Sequence, residues 1–246
     1  MRSARAATLL AALFLTIASP QAVRSEDAIT RSQADSILIE LRQIRQLLER
    51  QQSPRAAVPA PDRTVTLASV AAYEIGRKDA PLTMVEFADY ECPFCRQFHT
   101  TTFEQIKKDW IDTGKLRFVS RDLPLDFHPH SFKATVAARC AGEQGKYWEL
   151  RHVLTINATQ LELPSLVTYA SDLGLDTTRF VACLGAEKYA PEIRKDMADA
   201  GAAGISGTPT FVLGRSTKAG MTGVVVVGAL PYPEFDTRLR SLLAGK

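Results

Sequence analysis

The sequence predicts an α/β fold in which a helical subdomain is inserted into a strand-and-helix frame, the whole preceded by an N-terminal helix. Three observations carry this. The apolar run Leu82-Thr83-Met84-Val85-Glu86-Phe87 is followed closely by Cys92-Pro93-Phe94-Cys95 and then by a helical pattern. From about residue 129 to 203 the pattern is helical throughout, broken near Gly142, Gly145, Pro164, Gly174 and Pro191. Strand-like runs then resume at residues 210–213 and 224–227, ahead of an amphipathic closing helix at 234–243. Switching between a period of two and a period of 3.6 residues is the pattern of a mixed sheet with packed helices.

In chain order, Arg2 and Arg5 precede an apolar stretch of thirteen residues, 6–18, with small or polar residues from Ser19 onward. This is the pattern of a secretory signal peptide, expected over residues 1–25. The stretch falls short of the about 20 apolar residues that a spanning helix needs. Cleavage is expected between residues 19 and 26, since Pro20 stands two positions before Ala22. No other run is long and apolar enough to cross a membrane, so the mature chain is expected to be soluble in an oxidising space, the periplasm.

Residues 28–52 contain no Gly or Pro and read as one helix. Ala34, Ile37, Leu41, Ile44 and Leu48 recur at spacings of three, four, three and four, a coiled-coil seam with Leu at a and Ile at d. With Leu38 and Leu47 widening the stripe, this favours a homo-oligomer of three or four chains over a parallel dimer. The other reading docks the same stripe on the chain's own main domain, because so short a helix is marginal alone. Residues 53–63 carry three prolines and read as a semi-extended linker.

Residues 64–246 form the main domain. A chain of 246 residues, 46% hydrophobic and 23% charged, can bury one sizeable core once a leader is removed. A net charge of +3 and the absence of a basic patch with interleaved aromatics argue against nucleic acid as a partner. Residues 82–88 are expected as a buried strand. Residues 93–112 are expected as a helix with Phe94, Phe98, Ile106 and Trp110 inward, ended by Gly114. Residues 115–120 follow as a strand parallel to the first, through a right-handed crossover.

The chemistry is concentrated at Cys92-Pro93-Phe94-Cys95. At a helix N-terminus the free N–H groups and the dipole stabilise a thiolate, so Cys92 is expected as an exposed nucleophile and Cys95 as the inward, resolving thiol. Pro93 suits the first helical turn, where a missing N–H costs nothing. Half of a structural zinc site is the alternative, but tetrahedral zinc wants a second close pair, and Cys140 and Cys183 stand apart; no metal is expected. Those two cysteines lie on segments that look packed, and in an oxidising compartment they are expected to form a structural disulfide, with two buried thiols as the alternative. Glu86, in the middle of an apolar strand and six residues before Cys92, is costly to bury unless something uses it; a sheet-edge charge paired with Lys or Arg is the other reading. Glu91 reads as solvated, His99 as a partly exposed packing histidine, His128 and His130 as loop residues around Pro129, and His152 as a helix-surface residue. No Ser-His-Asp order or phosphate-binding glycine loop competes.

A strand, a redox helix and a strand, then helices, an antiparallel strand pair and a last helix, make a thioredoxin fold with a helical insertion. Residues 64–246 resemble the DsbA-type thiol:disulfide oxidoreductases of bacterial envelopes. The matching stretches are Val85-Glu86-Phe87-Ala88-Asp89-Tyr90 before the dithiol, Arg121-Asp122-Leu123-Pro124-Leu125, Gly145-Lys146-Tyr147-Trp148, and Gly207-Thr208-Pro209-Thr210-Phe211. The resemblance implies a thiol:disulfide oxidoreductase without a cofactor. It implies a cis Pro209 opposite the dithiol, leaving the Thr208 backbone free for an extended substrate, with Phe94 beside them. It implies that Glu86 lies beneath the dithiol and relays the proton of Cys95. Where the best-known oxidants carry Pro-His between the cysteines this chain has Pro-Phe, so a milder oxidant is expected.

The implied partners are unfolded or misfolded exported proteins and a membrane redox partner. Direction stays open, because a threonine before the cis proline also occurs in isomerase-like relatives. One reading introduces disulfides into exported proteins; another is an isomerase or reductase kept reduced by a membrane electron donor. A third, of a different class, is a module that binds a soft metal such as copper through the dithiol.

Overall fold

The computed structural model describes residues 30–52, 63–68, 73–217 and 220–245. The expected signal segment, 1–25, and residues 53–62 of the expected linker lie outside the described residues. Arg63, expected as the last linker residue, already belongs to the catalytic fold: its carbonyl accepts from the Val225 amide at 2.8 Å and its guanidinium donates to the Ala203 carbonyl. The chain divides into two units, residues 1–58 and 59–246.

In the first unit α1 spans Arg31–Gln52. It starts three residues later than position 28 because Thr30 and Gln33 cap it reciprocally, the Thr30 amide donating to Gln33 Oε1 at 2.9 Å and the Gln33 amide to Thr30 Oγ1 at 3.3 Å. Ile37, Leu38, Leu41 and Ile44 are each about half exposed. The side chains of Leu47 and Leu48 lie outside the described residues.

The second unit is built on a six-stranded sheet, β1 (Thr64–Leu67), β2 (Tyr73–Ile75), β3 (Leu82–Ala88), β4 (Leu116–Asp122), β5 (Thr210–Thr217) and β6 (Gly220–Val227), in the spatial order β1-β6-β5-β3-β4-β2. β3 is central, parallel to β4 and antiparallel to β5, with Glu86 opposite Ser120 and Phe211. A strand covered on both faces reads as a nearly continuous apolar run, which is how β3 was legible. Leu82 and Met84 pack on one face with Phe98, Phe118, Phe211 and Phe235. Val85 and Phe87 pack on the other with Val119, Val212, Ala200 and Ile205. Glu86 shares the parity of Met84, and it is fully buried. The sheet-edge reading of Glu86 therefore does not hold.

The expected single helix over 93–112 is broken. α2 runs Pro93–Thr101, Thr102 interrupts it, α3 covers Phe103–Ile106, and Lys107–Ile111 form a π-helical turn closed by Gly114 at φ +74°. The cause is a run of threonines whose hydroxyls turn back to the backbone: Thr100 bonds to the Arg96 carbonyl, Thr101 to Gln97, and Thr102 to Leu230 of the final loop. The wider turn lets Ile106, Trp110 and Ile111 all be buried.

Five helices make the insertion, α4 (Ser131–Gly142), α5 (Tyr147–Ile156), α6 (Leu163–Asp172), α7 (Thr177–Gly185) and α8 (Ala190–Ala202). They enclose their own core of Ala134, Ala138, Leu150, Leu166, Phe180 and Ile193. Cys140 on α4 and Cys183 on α7 are joined, with Cα atoms 5.9 Å apart. A buried ion network fastens the insertion to the sheet: Arg121 of β4 pairs with Asp196 at 2.6 Å, and Arg139 of α4 pairs with Asp122 and Asp196 at 2.6 and 2.9 Å. α9 (Tyr232–Leu243) closes the fold, placing Phe235 and Leu239 under the sheet.

Candidate active site

The turn between β3 and α2 is organised by one carboxylate. Asp89 is 1% exposed and accepts four hydrogen bonds, from the Glu91 amide (2.8 Å), the Leu125 amide (2.7 Å), His128 Nδ1 (2.9 Å) and Ser131 Oγ (2.7 Å). Its carbonyl accepts from the Cys92 amide at 3.2 Å. Glu91, expected as solvated, accepts from the His130 amide at 2.7 Å. Thus the loop histidines and Glu91 fasten the turn that presents Cys92 to the start of the helical insertion.

Cys92 is the N-cap of α2, Pro93 fills its first turn, and both cysteines are free thiols. The structure corrects one expectation here: Cys92 is only 4% exposed, little more than Cys95 at 3%. The bend that precedes β5 lies against it, the Cys92 thiol donating to the Thr208 carbonyl at 3.2 Å. The Thr208–Pro209 peptide bond is cis. Thr210 begins β5 beside Phe87, and the Pro209 carbonyl accepts from the Gly228 amide. Phe94, expected inward on α2, is 58% exposed beside the dithiol, because the inward positions of this turn are taken by Cys95 and Phe98.

The two thiols are driven apart in acidity. Hydrogen bonding from Cys95, against the opposing effect of burial and with help from the Thr208 side chain and the α2 backbone, holds Cys92 down to about 6. Burial, reinforced by Cys92 and by the Glu86 charge, pushes Cys95 well above the ordinary thiol value. A low-pKa sulfur is both a populated thiolate and a good leaving group, whereas its partner is stable as a thiol.

Behind the dithiol lies a polar cluster in an otherwise apolar layer. His99 Nε2 is 3.0 Å from both carboxylate oxygens of Glu86, and Arg151 Nη2 donates to Glu86 Oε2. Arg151 Nε and the Tyr147 hydroxyl both donate to Ser120 Oγ, at 3.0 and 3.1 Å. The side chains of Glu86, Arg151 and His99 are 0%, 5% and 7% exposed, so His99, partly exposed as a residue as expected, turns a buried ring to Glu86 and does more than pack. Burial alone would raise the Glu86 carboxyl; His99 and Arg151 bring it below the ordinary value. Burial, with Arg151, lowers His99 against the pull of Glu86. Arg151 went unrecognised in the sequence. The signal was its phase: it falls among Tyr147, Leu150 and Leu154 on the apolar face of α5, where an arginine needs a buried partner.

The family profile described as Thioredoxin matches residues 69–220. Among solved structures, the chain is similar to BdbD from Bacillus subtilis in its oxidised form, with 24% identity, a TM-score of 0.65, and coverage of 75% of this chain and 100% of that one. It is similar to alpha-DsbA1 of Wolbachia pipientis at 23% identity and TM-score 0.65, covering 74% and 97%. A thioredoxin-like oxidoreductase from Silicibacter pomeroyi shares 26% identity at TM-score 0.59, covering 70% and 92%. Among curated proteins, the Na(+)/H(+) antiporter NhaA 3 of Salinispora tropica is 36% identical over 67% of this chain, but only 25% of its own length is matched. The chain spans about a quarter of the length of such relatives, and antiport is not carried over by so partial a match. Among the described residues no helix is long and apolar enough to cross a membrane. The matched profile, the sheet order and the helical insertion agree: the chain has the fold of the DsbA structures it resembles and belongs to the thioredoxin family.

Proposed function

We propose that this protein is a DsbA-type thiol:disulfide oxidoreductase that acts in the periplasm and passes the Cys92–Cys95 disulfide to exported proteins. The observation that carries the reading is the opposite displacement of the two thiols, Cys92 down and Cys95 up, at the α2 N-terminus facing cis Pro209. In the oxidised enzyme a client thiolate attacks Cys92 Sγ. The Cys92–Cys95 bond breaks, and Cys95 takes the electron pair and then a proton. A second client thiolate attacks the client sulfur of the mixed disulfide, and Cys92 leaves as the thiolate that its surroundings stabilise. Thr208 offers its backbone to the extended client, Pro209 keeps that stretch from pairing further, and the exposed ring of Phe94 supplies apolar contact. Glu86 serves the proton balance of Cys95. A membrane redox partner restores the disulfide.

The assay is alkylation trapping of the protein directly from its native compartment. The expected result is Cys92 and Cys95 predominantly oxidised; a fully reduced pair overturns this direction. A second reading, isomerase or reductase kept reduced by a membrane donor, is favoured by the apolar stripe of α1, whose Ile37, Leu41 and Ile44 are half exposed. Three or four chains gathered through residues 28–52 would present clustered dithiols to a misfolded client.

A further inference from the structure

A cavity of about 200 Å³ lies between α3 and α5, lined among others by Ile75, His99, Phe103, Trp148 and Arg151. Its lining contains neither cysteine, nor Thr208, nor Pro209, and two of its lining residues, Glu104 and His152, are exposed. His99 and Arg151 alone belong both to this cavity and to the buried Glu86 cluster.

The hydrogen bonding of His99 is unusual for a structural histidine. Its Nε2 is 3.0 Å from both Glu86 oxygens and also 3.0 Å from Arg151 Nη2. A guanidinium only donates and a carboxylate only accepts. With a proton on Nε2 the ring donates to Glu86. Without it the nitrogen lone pair accepts from Arg151. Either protonation state at this buried atom has a partner in place, so the proton can come and go without stranding a polar group. Among the described residues Nδ1 makes no hydrogen bond to protein.

We propose that His99 is a relay residue acting through Glu86, so that Cys95 exchanges its proton with solvent by way of Glu86, His99 and this cavity while a client covers Cys92. The proposal rests on the reading of Cys92–Cys95 as the exchange site. In the resolution of a Cys92 mixed disulfide, Cys95 releases its proton to Glu86. Glu86 passes it to the bare Nε2, and the ring releases its Nδ1 proton into the cavity. The Cys95 electron pair forms the bond to Cys92 Sγ, the bond from Cys92 to the other sulfur breaks, and that sulfur leaves as a thiolate. When Cys95 is the leaving group the path runs in reverse. The groups facing His99 are Glu86 from β3, Arg151 and His152 from α5, and, across the cavity, Glu104 and Lys107; the Phe98, Phe103 and Phe118 rings pack on it. Burial keeps the ring neutral and ready to accept.

The test uses the reduced protein and oxidised glutathione, following formation and then resolution of the Cys92–glutathione mixed disulfide by acid quench and mass spectrometry between pH 5.5 and 8.5. His99→Gln keeps an amide in place but cannot accept and pass on a proton. Loss of general acid–base help predicts resolution slowed about tenfold or more near neutral pH, with formation of the mixed disulfide and the pH midpoint of Cys92 alkylation unchanged. His99→Ala should be rescued by added imidazole in proportion to its concentration, which a merely structural role would not produce. Resolution by His99→Gln within twofold of wild type at every pH, or no imidazole rescue of a folded His99→Ala, overturns the relay. Should neither variant fold, the wild type decides: a solvent isotope effect on resolution but not on formation supports the relay, and its absence overturns it. If the wild type forms no mixed disulfide at all, the exchange reading of the dithiol falls and takes the relay with it.

Discussion

Replacing Cys95 should cost Cys92 its acidity as well as its partner. The largest influence holding Cys92 down to about 6 is the hydrogen bond from Cys95. A hydrogen bond to a charged group is worth about 1.5–3 kcal/mol, and at about 1.4 kcal/mol per unit its loss in Cys95→Ala should raise the Cys92 pKa by about one to two units. The thiolate fraction at pH 7 would then drop from about 0.9 to between about 0.5 and 0.1. Thiolate absorbance at 240 nm, titrated on the reduced proteins, reads the midpoint directly. A midpoint that stays within 0.3 unit of wild type would show that the α2 N-terminus and Thr208 hold the thiolate without Cys95. The same shift fixes a stability trend. Because the folded value lies below the ordinary thiol value of 9.0, its contribution is complete above about pH 9 and lost as pH falls through about 6, leaving about 1.4 kcal/mol at pH 7. Reduced wild type should therefore gain stability over Cys92→Ser between pH 5 and pH 8 in urea titrations, and parallel curves would refute the linkage.

Cys92→Ala should abolish exchange, while Cys95→Ala should accumulate mixed disulfides with exported proteins; the reverse pattern on non-reducing gels would exchange their roles. Arg151→Met leaves Glu86 buried without its main cation and should cost about 3–5 kcal/mol in urea unfolding, so a loss under about 1 kcal/mol would mean that His99 alone holds the carboxylate. The Cys140–Cys183 bond closes a separation of 43 residues; its removal by paired alanines should cost about 2–4 kcal/mol, and alkylatable thiols at both positions in denatured, non-reduced protein would disprove the bond. Light scattering at tens of micromolar should show three or four chains for the mature protein and one for a chain starting near Asp62; two monomers would refute association through α1.

What was legible in the sequence was what local pattern determines. β3 announced itself by an apolar run, the helix after it by Cys92-Pro93 at its start, and the insertion by punctuating glycines and prolines. β1 and β2, four and three residues long at the two edges of the sheet, carry too few residues for a period to show. The break at Thr102 was hidden because threonine hydroxyls choose their carbonyls only in three dimensions. The site divided in the same way. Cys92, Cys95 and Glu86 stood out by spacing or by incongruity, and Pro209 through the family resemblance. Arg151 and His99 did not, since their importance comes from meeting Glu86 across separations of 65 and 13 residues. The burial of Cys92 beneath Thr208, more than a hundred residues away, belongs to that second class.

Asp89 gives the molecule a mechanical property that neither of its neighbourhoods has alone. Two of its four donors, the Glu91 and Leu125 amides, come from the turn that presents the nucleophile and from the segment leaving β4, and a third, Ser131, from the first turn of the insertion. A single buried acceptor shared in this way couples the opening of its ligands. The amides of Glu91 and Leu125 should therefore exchange hydrogen with one common opening free energy, different as their chain positions are. The first turn of the insertion and the turn that carries Cys92 therefore hang on one carboxylate, and a displacement that frees the former weakens the hold on the latter.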